Sequence, residues 1–502
     1  MRRAQAGGFV VASFMGSPFR AGAVCALVLA LSGCGPGRDE PPAAVPATPA
    51  RFVADPSGPA RSVGEWPRQF GSAELVSLIR QAEAQNFDIA AALARMSQAE
   101  AQARVAGSAL YPQLGGDENA SRSLSSGAAR SKDPPFRSSI GNSFGLGLTA
   151  SYTLDLFGKN RALLGAAEIN ALAARYNRDA VSVATLASVA NLYFLMLGDQ
   201  DRIRLAGENI RAASRVLDAI KARLSVGTAT ELDTAQQESV LANQRASVPP
   251  LEQSVAQTRN AIAVLVGRTP ESGRIRGGSL KGLKLPAPGP GLPAQLLLRR
   301  PDIAAAEASL ASQNASVKAA RAAFFPTIAL TGNLGVESLT LAHLLRPEAI
   351  AASLAQGLTQ PIFNGHNLEG QLELAKGREV ELLEIYRKAI VTALSDVESA
   401  LVAVRQTANH EKLQQVAVAA ASRAYQITQE RLREGTIDVV TLLNTQLTLF
   451  QAQDQLIQTR QQRLQAIVSL YQALGGGWTR EDAITIVPDP SIPADPPSGP
   501  AP

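Results

Sequence analysis

The feature that most narrows the folds open to this chain is an internal duplication. In the first half, Ala109-Leu110-Tyr111-Pro112 ends a helical pattern, alternating stretches follow, and Leu156-Phe157-Gly158 opens a long helical run. The second half repeats the order. Ala323-Phe324-Phe325-Pro326 ends a helix, residues 327–337 alternate, and Pro361-Ile362-Phe363-Asn364-Gly365 opens another long helical run. Arg431-Leu432-Arg433-Glu434-Gly435 matches Arg223-Leu224-Ser225-Val226-Gly227, and Gly475 stands forty residues after Gly435 as Gly267 stands forty after Gly227. Shared order and spacing mark two copies of one structural unit. Each copy reads as helix, strand, strand, long helix, tight turn, helix.

The strand signal is strongest over residues 143–156. Phe144, Leu146, Leu148, Ala150, Tyr152, Leu154 and Leu156 fall on one face, and the polar positions between them, including Thr149, Ser151, Thr153 and Asp155, on the other. About 9–11 tilted residues cross a bilayer, so such a strand can keep one face in lipid and one in water. A soluble sandwich strand alternates in the same way, and periodicity alone leaves both open. Two strands per copy make four per chain, whereas natural membrane barrels begin at about eight. Lipid does not tolerate an open sheet edge. If these strands span a membrane, several chains pool them, whether two, three or four.

Helix length excludes an ordinary globular domain. From Lys159 to Ser225 no proline interrupts the helical pattern, and at 1.5 Å per residue the run is ~100 Å long. Leu443, Phe450, Ile457, Leu464 and Tyr471 recur every seven residues, a stripe suited to coiled-coil packing against neighbours. The apolar run over 181–197 resembles a membrane helix in composition, but it is short and carries Ser182, Thr185, Ser188 and Asn191.

The N-terminus reads as a lipoprotein leader: Arg2, Arg3 and Arg20, an apolar run over 21–31, then Leu31-Ser32-Gly33-Cys34. Cleavage before Cys34 leaves that cysteine as the lipid attachment site, and Gly35 after it favours the outer membrane. Cys25 leaves with the leader, so the mature chain forms no internal disulfide. The formal charge of +5 loses three arginines with the leader, leaving +2, which gives no reason to expect nucleic acid as a partner. Residues 35–62 are rich in Pro, Ala and Gly, as a tether is, and residues 488–502 form a Pro-rich tail.

Nothing points to an enzyme. His343, His366 and His410 are well separated, without Glu or Cys partners at metal-ligand spacing, and there is no His-Glu-x-x-His, phosphate-cradling loop or nucleophile elbow. No metal and no cofactor beyond the lipid on Cys34 is expected.

Leu154-Asp155-Leu156-Phe157-Gly158, 297–303 (Leu-Leu-Arg-Arg-Pro-Asp-Ile), Ala322-Ala323-Phe324-Phe325-Pro326, Gln360-Pro361-Ile362-Phe363 and the paired Arg-Leu-x-x-Gly turns resemble the outer-membrane efflux protein family. They resemble in particular its lipoprotein branch serving resistance-nodulation-division pumps. The resemblance covers roughly 66–478. It implies a mainly α fold with membrane β: a homotrimer whose twelve strands form one outer-membrane β-barrel, continued by a long periplasmic α-helical coiled-coil barrel. It also implies an exit duct for small molecules, with a periplasmic membrane-fusion adaptor and an inner-membrane transporter as partners. Rival readings are a duct for secreted polypeptides and a lipid-anchored periplasmic scaffold without a pore.

By that resemblance, Gly227 and Gly435, with Arg223 and Arg431, lie at hairpin tips that dock the adaptor. Asp438, Val440, Thr441 and Asn444, with Asp233, are gate candidates. Relatives often carry aspartate where this chain has the neutral Asn444. Asp233 and Asp438 also suit the positive N-terminal ends of the helices that follow them. Thr149, Ser151, Thr153 and Asp155 are expected to line the lumen. The expected divisions are a leader over 1–33, an anchored tether over 34–65, a first repeat over 66–269, an inter-repeat equatorial segment over 270–293, a second repeat over 294–478 and a tail over 479–502.

Overall fold

A computed structural model of the chain describes residues 49–53, 65–126, 135, 138–272, 275–287, 289 and 291–480. Cys34, the leader, most of the tether and nearly all of the tail lie outside the described residues. Three helices, α1 (Trp66–Gln69), α2 (Ala73–Gln85) and α3 (Phe87–Gly107), precede strands β1 (Gln113–Ser125) and β2 (Ser139–Leu154). Helices α4 (Lys159–Ser225), α5 (Glu231–Ala246) and α6 (Val248–Leu265) complete the first repeat. The second repeat runs through α7 (Leu296–Arg299), α8 (Pro301–Ala322), β3 (Thr327–Ser338), β4 (Ile350–Thr359), α9 (Asn367–Arg433) and α10 (Val439–Ala473). Helices α4 and α9 are each 67 residues long and begin 208 positions apart, so from the long helices onward the duplication holds to the residue.

The continuous helical pattern before Pro112 is broken in two. Asn86 is extended rather than helical, and its Oδ1 accepts the amides of Asp88 and Ile89 at 2.8 and 3.0 Å as the N-cap of α3. Its Nδ2 donates to the Leu265 carbonyl at 2.9 Å, a contact across 179 residues that no local pattern encodes.

The four strands form one antiparallel sheet in the order β1-β2-β3-β4. Directly paired residues share a face. The row Leu114–Ala150–Gly332–Leu354 is therefore on the apolar side, as are Leu148–Leu334 and Leu154–Ile328–Leu358. No described residue covers that side: Leu114 is 73% exposed and Leu354 85%. A sandwich would bury this face against a second sheet. The apolar rows run from Leu154–Ile328–Leu358 to Leu146–Val336–Ile350, nine residues along β2. At about 3.3 Å per residue and a tilt near 45°, they make a band ~21 Å tall, close to the height of an outer-membrane barrel's apolar belt. Glu118 pairs with Leu146 at the upper row, and Arg122 lies beyond it. The charged side chains on this face thus stand at one edge of the band.

The core lies along the helices, where α1, α2, α4, α6 and α10 meet. Trp66 stacks on Tyr471 with ring centroids 5.6 Å apart, Phe70 meets Phe194 at 5.0 Å, and the Tyr471 hydroxyl donates to Gln69 at 2.7 Å. Burying each such aromatic or large aliphatic side chain contributes about 1.5–3 kcal/mol. Tyr193, Phe194, Met196 and Leu197 are buried here. The apolar run over 181–197 is thus the covered stretch of α4, which explains its membrane-like composition. Phe52 is only 2% exposed in the same cluster, so the tether has an apolar anchor that its composition hides.

Matching turns close the helices. The Gly227 amide donates to Leu224 and the Thr228 amide to Arg223, both at 2.9 Å; Gly435 and Thr436 repeat the pattern onto Leu432 and Arg431 at 3.1 and 2.9 Å. These are Schellman closures with glycine at positive φ, 77° and 73°. Gly267 and Gly475 make the same closure, but there the backbone of a preceding helix end presses in. A Cβ on Gly475 would overlap the Arg299 carbonyl, and one on Gly267 the Gln85 carbonyl, whereas Gly227 has nothing within 4 Å. Gly227→Ala is expected to cost about 1–2 kcal/mol from left-handed backbone strain, and Gly475→Ala about 3 kcal/mol or more because overpacking adds to it. Unfolding of the two purified variants checks this; equal losses would contradict it.

Candidate functional site

Two regions collect the polar residues not used by the helical core: the second face of the sheet and the hairpin tips. On the sheet, Thr149, Ser151 and Thr153 lie on the polar side, opposite Gly115, Gln113 and Asn333 or their row neighbours. Thr149 Oγ1 donates to Asp117 Oδ1 at 3.3 Å. Asp117 and Glu337 are the ionisable residues on this face among the described strand residues, and a row of glycines, Gly145, Gly147 and Gly335, leaves a shallow trough between them. A Cβ on Gly335 would lie 2.6 Å from the Leu146 carbonyl oxygen, so glycine is required by the close approach of β2.

Asp155 is a correction. It follows the last residue of β2 and does not line the strand face. Its Oδ1 accepts the Asn160 amide at 3.0 Å, and its Oδ2 accepts the Arg161 amide at 2.8 Å and Arg161 Nε at 3.3 Å. The carboxylate is drawn off the alternation because the first turn of α4 offers unsatisfied N–H groups and a positive dipole end. Burial pushes this carboxyl up, but the backbone N–H groups of Arg161 and Asn160, with the Arg161 guanidinium, outweigh it and hold the carboxyl below its ordinary range. His366, at the corresponding junction of the second repeat, is exposed and pairs with Glu369, which raises its pKa.

At the tips, both gate aspartates are caps. Thr230 Oγ1 accepts the Asp233 amide at 3.2 Å, and Asp233 Oδ2 accepts the Thr230 amide at 2.8 Å, a reciprocal capping box on α5. In the second repeat the residue types are exchanged: Asp438 is the N-cap of α10 and accepts the Thr441 amide at 2.8 Å. The Thr441 side chain and amide hold the Asp438 carboxyl below its usual range. Val440, Thr441 and Asn444 are exposed on one face of α10, Val440 to 41%. Arg223 is engaged with the other hairpin, its Nη1 donating to the Leu432 carbonyl at 3.0 Å. Arg431 keeps its guanidinium exposed, while its carbonyl accepts Thr436 Oγ1 at 3.1 Å.

Several residues that position these regions escape a sequence reading. Arg300, of the Arg-Arg-Pro-Asp stretch, donates Nε and Nη2 to Asp302 at 3.0 and 2.7 Å, Nη2 to Asp396 at 3.1 Å and Nη1 to the Ala473 carbonyl at 3.2 Å. It locks the start of α8 onto α9 and the end of α10. Buried Glu411 bridges Arg460 at 2.9 Å and Arg463 at 2.8 Å, and Arg460 Nε also donates to the Leu280 carbonyl of the inter-repeat segment. Near the tips, fully buried Gln237 and Gln446 meet at 3.4 Å between the hairpins.

The sequence pattern of the family described as outer membrane efflux protein matches residues 78–268 and 292–476. The chain is 37% identical over 430 residues to the pyoverdine export outer membrane protein OpmQ of Pseudomonas aeruginosa, covering 85% of this chain and 90% of that protein. It is 29% identical over 462 residues to the cation efflux system protein CusC of Escherichia coli K12, covering 90% and 98%. Among solved structures it is similar to the open state of the Neisseria gonorrhoeae MtrE outer membrane channel, with 28% identity and a TM-score of 0.79 over 89% of this chain and 98% of that one.

The Asp155 cap generates a pH prediction. Its lowered pKa means that the cap is fully present above about pH 4 and is lost as the pH falls through the lowered value. Asp155→Ala is expected to cost about 1 kcal/mol at neutral pH. The gap between wild type and variant, read from urea unfolding at pH 7 and pH 3, should narrow in acid. A gap that stays constant would contradict the cap.

Proposed function

The chain belongs to the outer membrane efflux protein family, and from that membership we propose that it conducts small molecules passively from an inner-membrane transporter to the exterior. The chain is an outer-membrane exit duct of efflux-pump type, with a trimeric twelve-stranded barrel and a periplasmic helical barrel. The observation that carries the mechanism is the four-stranded sheet, apolar on one face, polar on the other and unpaired at both edges. Lipid solvates the first face, water the second, and neighbouring chains complete the edges' hydrogen bonds.

Three chains bring twelve strands and place Thr149, Ser151 and Thr153 toward the aqueous interior. Helices α4 and α9, each ~100 Å long, continue the wall to the hairpin tips. There the exposed face of Val440, Thr441 and Asn444 converges from three copies and narrows the passage. The neutral Asn444 puts no carboxylate ring at that narrowing. A periplasmic adaptor docks at the turns around Gly227 and Gly435, and the inner-membrane transporter supplies the energy. The duct performs no chemical conversion and needs no cofactor, and the lipid on Cys34 holds each chain to the membrane. Relatives named for pyoverdine export and for cation efflux support a small-molecule cargo.

Cells of the source lacking this chain should accumulate a fluorescent pump dye several-fold over cells carrying it. Unchanged dye accumulation together with loss of a polypeptide from the medium would overturn this reading in favour of protein secretion.

A further inference from the structure

The lipid-facing side of the sheet continues past the top of its apolar band. Above the row Leu146–Val336–Ile350, the register carries the same face through Ala120–Phe144–Ser338, then Arg122–Asn142, then Leu124–Ile140. Asn142 is four residues along β2 from Leu146. At about 3.3 Å per residue and a tilt near 45°, the Arg122–Asn142 row stands ~9 Å above the band, at the depth of lipid headgroups. Helices α4 and α9 leave the sheet from its other end, toward the periplasm, so Arg122 lies on the side of the outer leaflet.

The surroundings of Arg122 lack a counter-charge. Its guanidinium is exposed and makes no ion pair among the described residues. Glu118, the other charged residue on this face of the strands, is four residues back along β1, ~13 Å away. Asp117 and Glu337 project from the opposite face. Closing the barrel sets β4 of one chain beside β1 of the next, and β4, Ile350–Thr359, contains no acidic residue. The neighbour across the ladder is Asn142, whose Cβ is about 5 Å from that of Arg122 and whose amide adds donors of its own. Apolar side chains flank the pair: half-buried Phe144 below it, and above it Leu124 and Ile140, exposed to 71% and 60%. A cation between apolar rows is costly unless an anion meets it.

We infer that Arg122, with Asn142 beside it, binds a phosphate of the phosphorylated glycolipid in the outer leaflet. The inference rests on the outer-membrane barrel of the reading above. A guanidinium holds two phosphate oxygens at once, and Asn142 supplies a further donor from the adjacent strand. Phe144 and the Leu124–Ile140 row shield the pair from water on two sides, which strengthens the attraction. The lipid thus supplies the anion that the strands do not, and it fixes the height at which the barrel sits in the membrane.

Trimers in nanodiscs of phosphatidylethanolamine with a minor share of lipid A test this, the lipid A held per trimer being read by mass spectrometry after transfer to mild detergent. R122Q should hold about tenfold less than wild type, and R122K an intermediate amount, because an ammonium replaces the fork with a point charge. E118Q should match wild type. Lipid A stripped of its phosphates should be held by wild type no better than intact lipid A is held by R122Q. The inference is overturned by R122Q holding as much as wild type, by equal retention of the stripped lipid, or by displacement with millimolar inorganic phosphate, which would mark a site for any small anion. It is also overturned if R122Q trimers dissociate while lipid A per surviving trimer stays unchanged, since Arg122 would then serve a neighbouring chain. Any of these in a trimer that conducts in planar bilayers leaves the duct reading intact. A trimer that holds lipid A through Arg122 but passes no current would support this inference and overturn the duct reading instead.

Discussion

The rest of the structure depends on the unpaired backbone at the two edges of the sheet. Strands β1 and β4 each present a row of N–H and C=O groups with no strand partner among the described residues. Water can satisfy such an edge and hydrocarbon cannot. The five apolar rows on one face place the sheet in hydrocarbon. A single chain therefore cannot be the functional unit, and association follows from hydrogen bonding before any helix contact is considered. The helices extend the closure: apolar residues such as Leu374, Leu413 and Val416 on α9 stay exposed among the described residues.

The two halves of the molecule solve opposite problems with one duplicated unit. At the sheet end the sequence must present lipid and water to alternate residues, and the residues between strands and helices, Asp155 and His366 among them, serve to start the next helix. At the tip end the chain must reverse twice over a small apolar cluster, and it does so with glycine closures, the reciprocal Thr230–Asp233 box and the Asp438 cap. Exchanging Thr230–Asp233 for Asp438–Thr441 keeps both caps intact. The same carboxylates can be read as gate or as cap; the geometry shows both capping the helices that follow them, a role that leaves a place at the passage open to them.

Elements whose signal is local were legible in the sequence. Helix α4 spans the residues that its breakers delimit, the heptad stripe from Leu443 to Tyr471 is buried or partly buried throughout, and the strong strand differs only at its ends. The fourth strand, Ile350–Thr359, has no comparable alternation in its first residues, and its bounds are set by pairing with β3. What stayed hidden depends on distant partners. Asn86 breaks a helix because the Leu265 carbonyl receives it, Phe52 is an anchor because the core admits it, and Arg223 is a strut because Leu432 lies beside it. Asp155 was misplaced for a related reason: alternation continues through it, and only the amides of α4 reveal its orientation.

The most direct test of the account is to separate inner and outer membranes on a density gradient after chemical cross-linking of intact cells, and to size this chain in each fraction. Pooled strands predict a three-chain species confined to the outer membrane. Monomers in the inner membrane would contradict the barrel and leave a lipid-anchored scaffold in its place.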